Sequence, residues 1–269
     1  MSRSMLALHD VGKTFIEGTA DVVRALDRVS LTLEAGDFVT VIGSNGAGKS
    51  TLLNAIAGLV VPDAGRIVLD DEDITVAPVH RRAALIGRIA QNALDSTCAS
   101  MSIAENLAMA ARRGQARGLR RAVTAGRATE FRERLAVVGL GLEERADARI
   151  GTLSGGQRQA VALLMATIAW PRLLLLDEHL ANLDPRTAAV VMALTGRLVA
   201  EGGLTTLMVT HNMAQAIRWG NRLVMMHAGR IIFEVRGAEK AALTVEALIR
   251  RFHVASGTDL DDDRVLLAS

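Results

Sequence analysis

The sequence predicts an α/β fold with a mixed sheet, and three stretches carry that prediction. Phe38-Val39-Thr40-Val41-Ile42 is an apolar, β-branched run that enters the glycine-rich turn Gly43 to Gly48 and opens onto the apolar stretch Leu52 to Gly58. That order reads as strand, tight loop, helix. Arg172-Leu173-Leu174-Leu175-Leu176 is short and almost wholly apolar, as a strand buried on both faces must be, and it ends in Asp177-Glu178. Between the two, residues 101 to 138 hold helical periodicity and no strand signal.

The remaining elements follow in order. Met5 to Asp10 and Val22 to Leu33 alternate apolar and polar residues, as half-buried strands do. Gly12-Lys13-Thr14-Phe15-Ile16-Glu17-Gly18 between them reads as a loop carrying one exposed aromatic. Pro62-Asp63-Ala64-Gly65 turns the chain into a strand over Arg66 to Leu69, and the acidic run Asp70 to Asp73 reads as a solvated hairpin tip. Ala83 to Ala90 predicts a strand ending at Gln91. Ser102 can cap a helix running through Ile103 and Leu107. From Arg112 to Arg134 the stretch is crowded with arginine, either a solvated helical face or a basic stripe for lipid head groups or an acidic partner. A helix from Ser154 to Trp170 stops before Pro171, and another spans Thr187 to Ala200. Thr205 to Thr210 predicts a strand with His211 at its end. Arg222 to Met226 and Arg230 to Val235, joined through His227-Ala228-Gly229, predict a terminal hairpin, and the tail from Gly257, with Asp259 and Asp261 to Asp263, is expected to fray.

Composition narrows the classes. At 269 residues the chain could hold one large domain or two small ones, and half of its residues are hydrophobic, enough for a sizeable core. A formal charge of +2 is too small to argue for nucleic acid as a partner. The single cysteine, Cys98, excludes an internal disulfide and fits a reducing compartment. No signal-peptide apolar region follows Met1, and the longest apolar stretch, Ala160 to Trp170, falls short of the roughly 20 residues that span a bilayer. A soluble chain is expected, one that meets a membrane only through a partner.

The stretch Gly43-Ser44-Asn45-Gly46-Ala47-Gly48-Lys49-Ser50-Thr51 matches G-x-x-x-x-G-K-[ST] in the strand–loop–helix context that makes it a phosphate-binding loop. Its glycines let successive amides turn towards a polyanion, and the following helix adds its positive end. Lys49 would reach the β- and γ-phosphates and the Ser50 hydroxyl would ligate Mg²⁺. The competing reading is a glycine turn with no ligand. Lysine argues against it: the basic residues are nearly all arginine, Lys occurs only at 13, 49 and 240, and an arginine fork cannot replace a compact ammonium inside a tight loop. Asp177 could hold Mg²⁺, directly or through water, and Glu178 could orient and deprotonate an attacking water, since ligands collect at the carboxyl ends of parallel strands. Ser154-Gly155-Gly156-Gln157 has the spacing of a capping box, which many helices use only for their own stability. Two glycines in a first turn each cost about 1 kcal/mol relative to Ala. They make sense where something must approach the backbone closely, as at a second anion site.

Leu153-Ser154-Gly155-Gly156-Gln157 is the five-residue signature of ABC ATPases without a substitution, and it stands between the phosphate loop and Leu173 to Glu178 as in that family. The chain therefore resembles ABC ATPases over residues 5 to about 250. The resemblance implies a P-loop NTPase core with an N-terminal antiparallel β subdomain and an inserted helical subdomain, all within one ATPase domain over 1–269. Residues 1–91 and 151–240 would form the nucleotide-binding core, 92–150 with the start of the 154–170 helix the helical part, and 241–269 a C-terminal helix and acidic tail. It also implies that Gln91 senses Mg²⁺ and the γ-phosphate and couples to a membrane subunit. Ala181-Asn182-Leu183-Asp184 matches the D-loop, His211 the switch histidine that contacts the γ-phosphate, and Phe15 the aromatic that stacks on adenine. Two departures are plain: His179 replaces the common Pro after the acidic pair, and the helix after the signature lacks the common Arg-Ala pair. These, with Gln91-Asn92 and the Met-rich Leu223 to His227, look similar to a bacterial branch that includes importers of tryptophan or related small molecules. The resemblance implies the ATPase subunit of an importer, with ATP and Mg²⁺ as ligands, working as a homodimer on membrane permeases at the cytoplasmic face, beside an extracytoplasmic binding protein. The rivals are a non-transport ABC ATPase and a nucleotide-dependent regulatory module.

Overall fold

The computed structural model describes residues 3–17, 21–115, 118 and 121–256. Gly18, part of the arginine-rich stretch and the tail from Gly257 lie outside the described residues. The chain divides into two compact units, Met1–Arg82 with Thr205–Ser269, and Ala83–Leu204.

In the first unit, β1 (Ser4–Glu17), β2 (Asp21–Glu34), β3 (Phe38–Gly43), α1 (Lys49–Ala57), β4 (Ala64–Leu69), β5 (Glu72–Asp73) and α2 (Val79–Arg82) come first. The second unit follows with β6 (Ile86–Ile89), α3 (Ile103–Ala111), α4 (Ala125–Ala136), α5 (Gly155–Thr167), β7 (Leu173–Asp177) and α6 (Pro185–Gly202). The chain then returns to the first unit through β8 (Thr205–Val209), α7 (Met213–Arg218), β9 (Arg222–His227), β10 (Arg230–Arg236), α8 (Gly237–Ala241) and α9 (Val245–Ser256).

The first unit holds an antiparallel sheet in the order β2-β1-β4-β5. It also holds a mixed one, in which β3 lies parallel between β8 and β9 and β9 pairs antiparallel with β10. The α/β class with an antiparallel sheet near the N-terminus is therefore as expected. Residues 12 to 17 are not a loop: they continue β1, with Phe15 opposite Val23 and Ile16 opposite Val22. The alternation that would reveal this is broken by register shifts around Val11 to Thr14. Nor is the acidic run simply solvated, because the Asp70 side chain is nearly buried and pairs with Arg3.

Three buried cations brace the frame around β3 and α1. Arg222 donates to Asp37 Oδ2 at 2.8 Å and to Glu234 Oε1 at 2.6 Å, which ties the start of β3 to β9 and β10. Burial alone would raise the Asp37 carboxyl; the Glu34 amide, Arg222 and Asn221 outweigh it and hold the group below the usual carboxylate range. Arg82 caps α1, donating to the carbonyls of Ala55 (2.7 Å) and Ile56 (2.9 Å). Lys240 does the same for α7 through Ile217 and Trp219, both at 2.7 Å. An apolar cluster of Ile42, Ala216, Leu223, Met225, Val235, Leu248 and Phe252 packs α7 and α9 against the sheet.

In the second unit β6 and β7 pair in parallel. The strand expected over Ala83 to Ala90 shortens to Ile86–Ile89, and the helical stretch after it resolves into α3 and α4. Asn106, wholly buried, fixes the entry to α3 by accepting from the Cys98 amide (2.8 Å) and donating to the carbonyls of Cys98 and Ser102.

Candidate functional site

The first unit carries the glycine loop. Strand β3 is buried along its length to Ile42, so the loop that leaves it starts from a rigid edge. Gly43 and Gly48 are required by close approach: a Cβ on either would stand 2.2 Å from a carbonyl oxygen, that of Met226 or of Ala25. Gly48 is also the N-cap of α1 in the left-handed region, φ 94°. The turn between β9 and β10 supports the loop from behind, where the Gly229 amide donates to Ala47 O at 3.2 Å. Lys49 is 5% exposed, and its Nζ curls back to the carbonyls of Gly43 (2.7 Å) and Ser44 (2.9 Å). The ammonium is thus held inside the loop, while Asn45, Gly46 and Ser50 face solvent. Thr51 continues the first turn of α1.

Two further predicted residues lie in this unit. His211 sits past the carboxyl end of β8, just before Asn212, whose side chain caps α7 by accepting from the Gln215 amide at 2.9 Å. Phe15 is 37% exposed on β1, with Lys13 Nζ 5.5 Å from its ring centroid. Lys13 is itself fixed by Asp63 at 2.8 Å.

The second unit carries the acidic and signature residues. Asp177 closes β7 and is 6% exposed; Glu178 follows it with φ 47°, a left-handed backbone costing a non-glycine residue about 1–3 kcal/mol. Gln91, beyond the end of β6, donates from Nε2 to Glu178 Oε2 at 3.2 Å, so two predicted site residues meet across 87 positions of sequence. The next residue, His179, is buried, and that burial pushes its pKa down to about 4, which keeps the ring neutral.

Ser154 caps α5 as its spacing predicts. Its Oγ accepts from the Gln157 amide and Gln157 Oε1 accepts from the Ser154 amide, both at 3.3 Å. The two signature glycines have different reasons to be glycine. Gly155 is exposed and a Cβ there would have room, its nearest neighbour being Leu183 Cδ2 at 3.7 Å. Gly156 is buried, and a Cβ there would fall 1.9 Å from Thr187 Cγ2 on α6. Packing against α6 therefore accounts for Gly156, and Gly155 alone bares the helix start to an approaching group. Asp184 caps α6, accepting from the amides of Arg186 and Thr187 at 3.1 Å each. The Thr187 hydroxyl and these amides hold its carboxyl below the usual range.

Sequence reasoning marks His179 only as a departure and gives Thr187 no role beyond a place in a helix. A buried histidine beside an acidic pair is a usable signal; the contact of Thr187 with Gly156 leaves none.

Comparison with known proteins follows the same lines. A family model described as ABC transporter matches residues 26–181. The tyrosine transport ATP-binding protein of Clostridioides difficile (strain R20291) is 39% identical over 251 residues, covering 93% of this chain and 100% of that protein. The phosphonates import ATP-binding protein PhnC of Frankia casuarinae is 36% identical, covering 84% of this chain and 90% of its own length. Among solved structures, a dimeric ATP-binding cassette in a post-hydrolysis state bound to ADP and Pi superposes with a TM-score of 0.75 at 30% identity, covering 86% of this chain and 98% of that one.

Proposed function

This chain belongs to the ABC transporter family, and we propose that it is the ATP-binding and ATP-hydrolysing subunit of a bacterial importer for a small molecule. One observation carries the reading furthest: a single chain presents a loop wrapped around Lys49 ahead of α1 and, separately, an exposed Ser154–Gly155 start to α5. Each is an array of backbone amides at the positive end of a helix, suited to a polyphosphate.

A triphosphate entering the loop would draw Lys49 Nζ from the Gly43 and Ser44 carbonyls to its β- and γ-phosphates. The amides of Ser44, Asn45, Gly46 and Gly48 and the N-terminus of α1 would meet the remaining charge, with Ala47, whose amide donates to Ser44 O at 3.1 Å, holding the turn in shape. The oxygen donors Ser50, Asp177 and Gln91 suit Mg²⁺, a hard cation that takes oxygen ligands, and Asp177 is nearly buried, so a cation is a fitting partner for it. Bound Mg²⁺ would offset charge on the β- and γ-phosphates. Glu178 would accept the proton of the attacking water, with Gln91 steadying its carboxylate. His211 would contact the γ-phosphate, Phe15 would stack on adenine, and Asp184 would order the D-loop.

Two copies of the chain would sandwich ATP, one phosphate loop facing the partner's Ser154, Gly155, Gly156 and Gln157 in an isologous dimer. Closure on ATP and opening after hydrolysis would drive permease subunits through the segment after Gln91. We take residues 1–269 as one ATPase domain with its helical part over 92–150 and the start of the 154–170 helix, bound peripherally at the cytoplasmic face of the membrane. Among the described residues no helix is long and apolar enough to cross a membrane, which fits attachment through a permease. The relative named for tyrosine transport favours an aromatic amino acid or similar molecule as cargo. An extracytoplasmic binding protein would deliver it.

Steady-state phosphate release from Mg²⁺–ATP tests the reading. Turnover by the wild-type chain that is lost in Glu178→Gln supports it. A chain that binds ATP with no release of phosphate would be the regulatory module instead.

A further inference from the structure

Glu178 keeps a left-handed backbone that a residue with a side chain holds only where its surroundings impose it. On its amino side lies the wholly buried strand β7. On its carboxyl side stands His179, 3% exposed, whose Nε2 lies 3.3 Å from Thr195 Oγ1 on α6, sixteen residues further along the chain. The Thr195 hydroxyl has one proton, and it is given to the Val191 carbonyl at 2.9 Å. Towards His179 that hydroxyl therefore accepts, which assigns the imidazole proton to Nε2. The Glu178 carbonyl is also engaged, accepting from the Ala181 amide at 3.0 Å. An apolar side chain could fill this space in more than one rotamer, with no partner to find. The buried imidazole meets Thr195 through Nε2, and Thr195 is held by its own helix.

We infer that His179 is a positioning residue for hydrolysis. Its hydrogen bond to Thr195 anchors to α6 the peptide that carries Glu178, and so aims the carboxylate at the attacking water. The inference rests on Glu178 being the general base. It gives a role to the histidine that stands where the family commonly has proline. It also links the hydrolytic carboxylate to α6, the helix that Asp184 caps.

The test compares His179→Leu, which fills the space without a donor, with His179→Gln, whose amide can replace Nε2–H, and with Thr195→Val, which keeps the shape and loses the acceptor. His179→Leu and Thr195→Val should lower kcat about tenfold to a hundredfold, the usual effect of a small misplacement of a catalytic group, with KM and Kd for ATP within about twofold of wild type. His179→Gln should recover most of the loss. In a Glu178→Gln background, His179→Leu should lower the residual single-turnover rate no further, since positioning acts through the carboxylate. Wild-type kcat in both folded Leu and Val variants would overturn the inference. So would equal losses in the Leu and Gln variants, or an equal drop from His179→Leu with and without Glu178. Near-normal turnover in Glu178→Gln alone would remove the general-base reading itself, a separate failure visible before His179 is touched.

Discussion

Replacing Gly156 by Ala puts a methyl group where Thr187 already stands. The added Cβ would lie 1.9 Å from Thr187 Cγ2 and 3.3 Å from Thr187 Cβ, whereas at Gly155 the nearest atom is Leu183 Cδ2 at 3.7 Å. Carbon atoms settle about 3.5–4.0 Å apart, so Gly156→Ala demands a movement of roughly 2 Å between α5 and the Thr187 side chain, and Gly155→Ala demands none. Overpacking of this kind costs about 1–3 kcal/mol, against which Ala returns up to about 1 kcal/mol of helix propensity. Gly156→Ala should therefore be less stable than wild type by up to about 3 kcal/mol, and Gly155→Ala as stable or more stable by up to about 1 kcal/mol. In a chain of this size each kcal/mol moves Tm by about 2–4 °C, so thermal unfolding followed by circular dichroism should separate the two variants by several degrees. Thr187→Ser removes the offending methyl and keeps the hydroxyl beside Asp184; combined with Gly156→Ala it should restore most of the loss. Equal midpoints for the two alanine variants, or a double variant no better than Gly156→Ala, would refute the packing account. Gly155→Ala serves as the functional counterpart: folded, yet impaired in ATP-dependent dimerisation because its methyl sits on the exposed helix start.

Three further outcomes are expected. Lys49→Ala should fold and lose ATP binding, because the ammonium held by the Gly43 and Ser44 carbonyls is the cation inside the loop; calorimetry giving an affinity within a few-fold of wild type would sink the phosphate-loop assignment. Glu178→Gln should elute as a dimer with Mg²⁺ and ATP, since loss of a general base slows hydrolysis about 10²–10⁴-fold, and as a monomer without nucleotide. Adding Ser154→Arg should dissolve that dimer, and a double variant that still dimerises would show that Ser154 does not complete the partner's site. Acid should unmask His179: its pKa falls from 6.5 unfolded to about 4 folded, so the neutral buried ring favours the native state fully above pH 6.5 and progressively less as pH falls towards 4. The loss comes to about 2 kcal/mol at pH 5, whereas the depressed carboxyls of Asp37 and Asp184 act lower, below the ordinary Asp value of 3.8. Denaturant unfolding of His179→Leu between pH 7 and pH 5 should accordingly be flatter than wild type by that amount, and parallel curves would refute the assignment.

Features written in neighbouring residues are legible from the amino-acid string. Strand, glycine turn and helix from Phe38 to Ala57 follow from a β-branched run, positive-φ glycines and an apolar periodicity that lie side by side. The capping boxes at Ser102 and Ser154 use bonds only three residues long, and the hairpin of β9 and β10 closes through its own short turn. The five-residue signature and the acidic pair mark the family for the same reason, being contiguous strings. Other features arise only in the fold. Phe15 belongs to a strand only because β2 pairs with it across bulges, and bulges erase the alternation by which a strand is read. The hydrogen bond from Gln91 to Glu178 spans 87 positions, the one between His179 and Thr195 spans 16, and Gly156 is glycine because a methyl of α6 occupies its missing side chain. Which groups this chain brings to a nucleotide is thus a matter of local propensity and contiguous motifs, and these need no partner. How those groups are held is a matter of tertiary packing, because a buried hydrogen bond or a packed methyl depends on residues that only folding brings within a few ångströms.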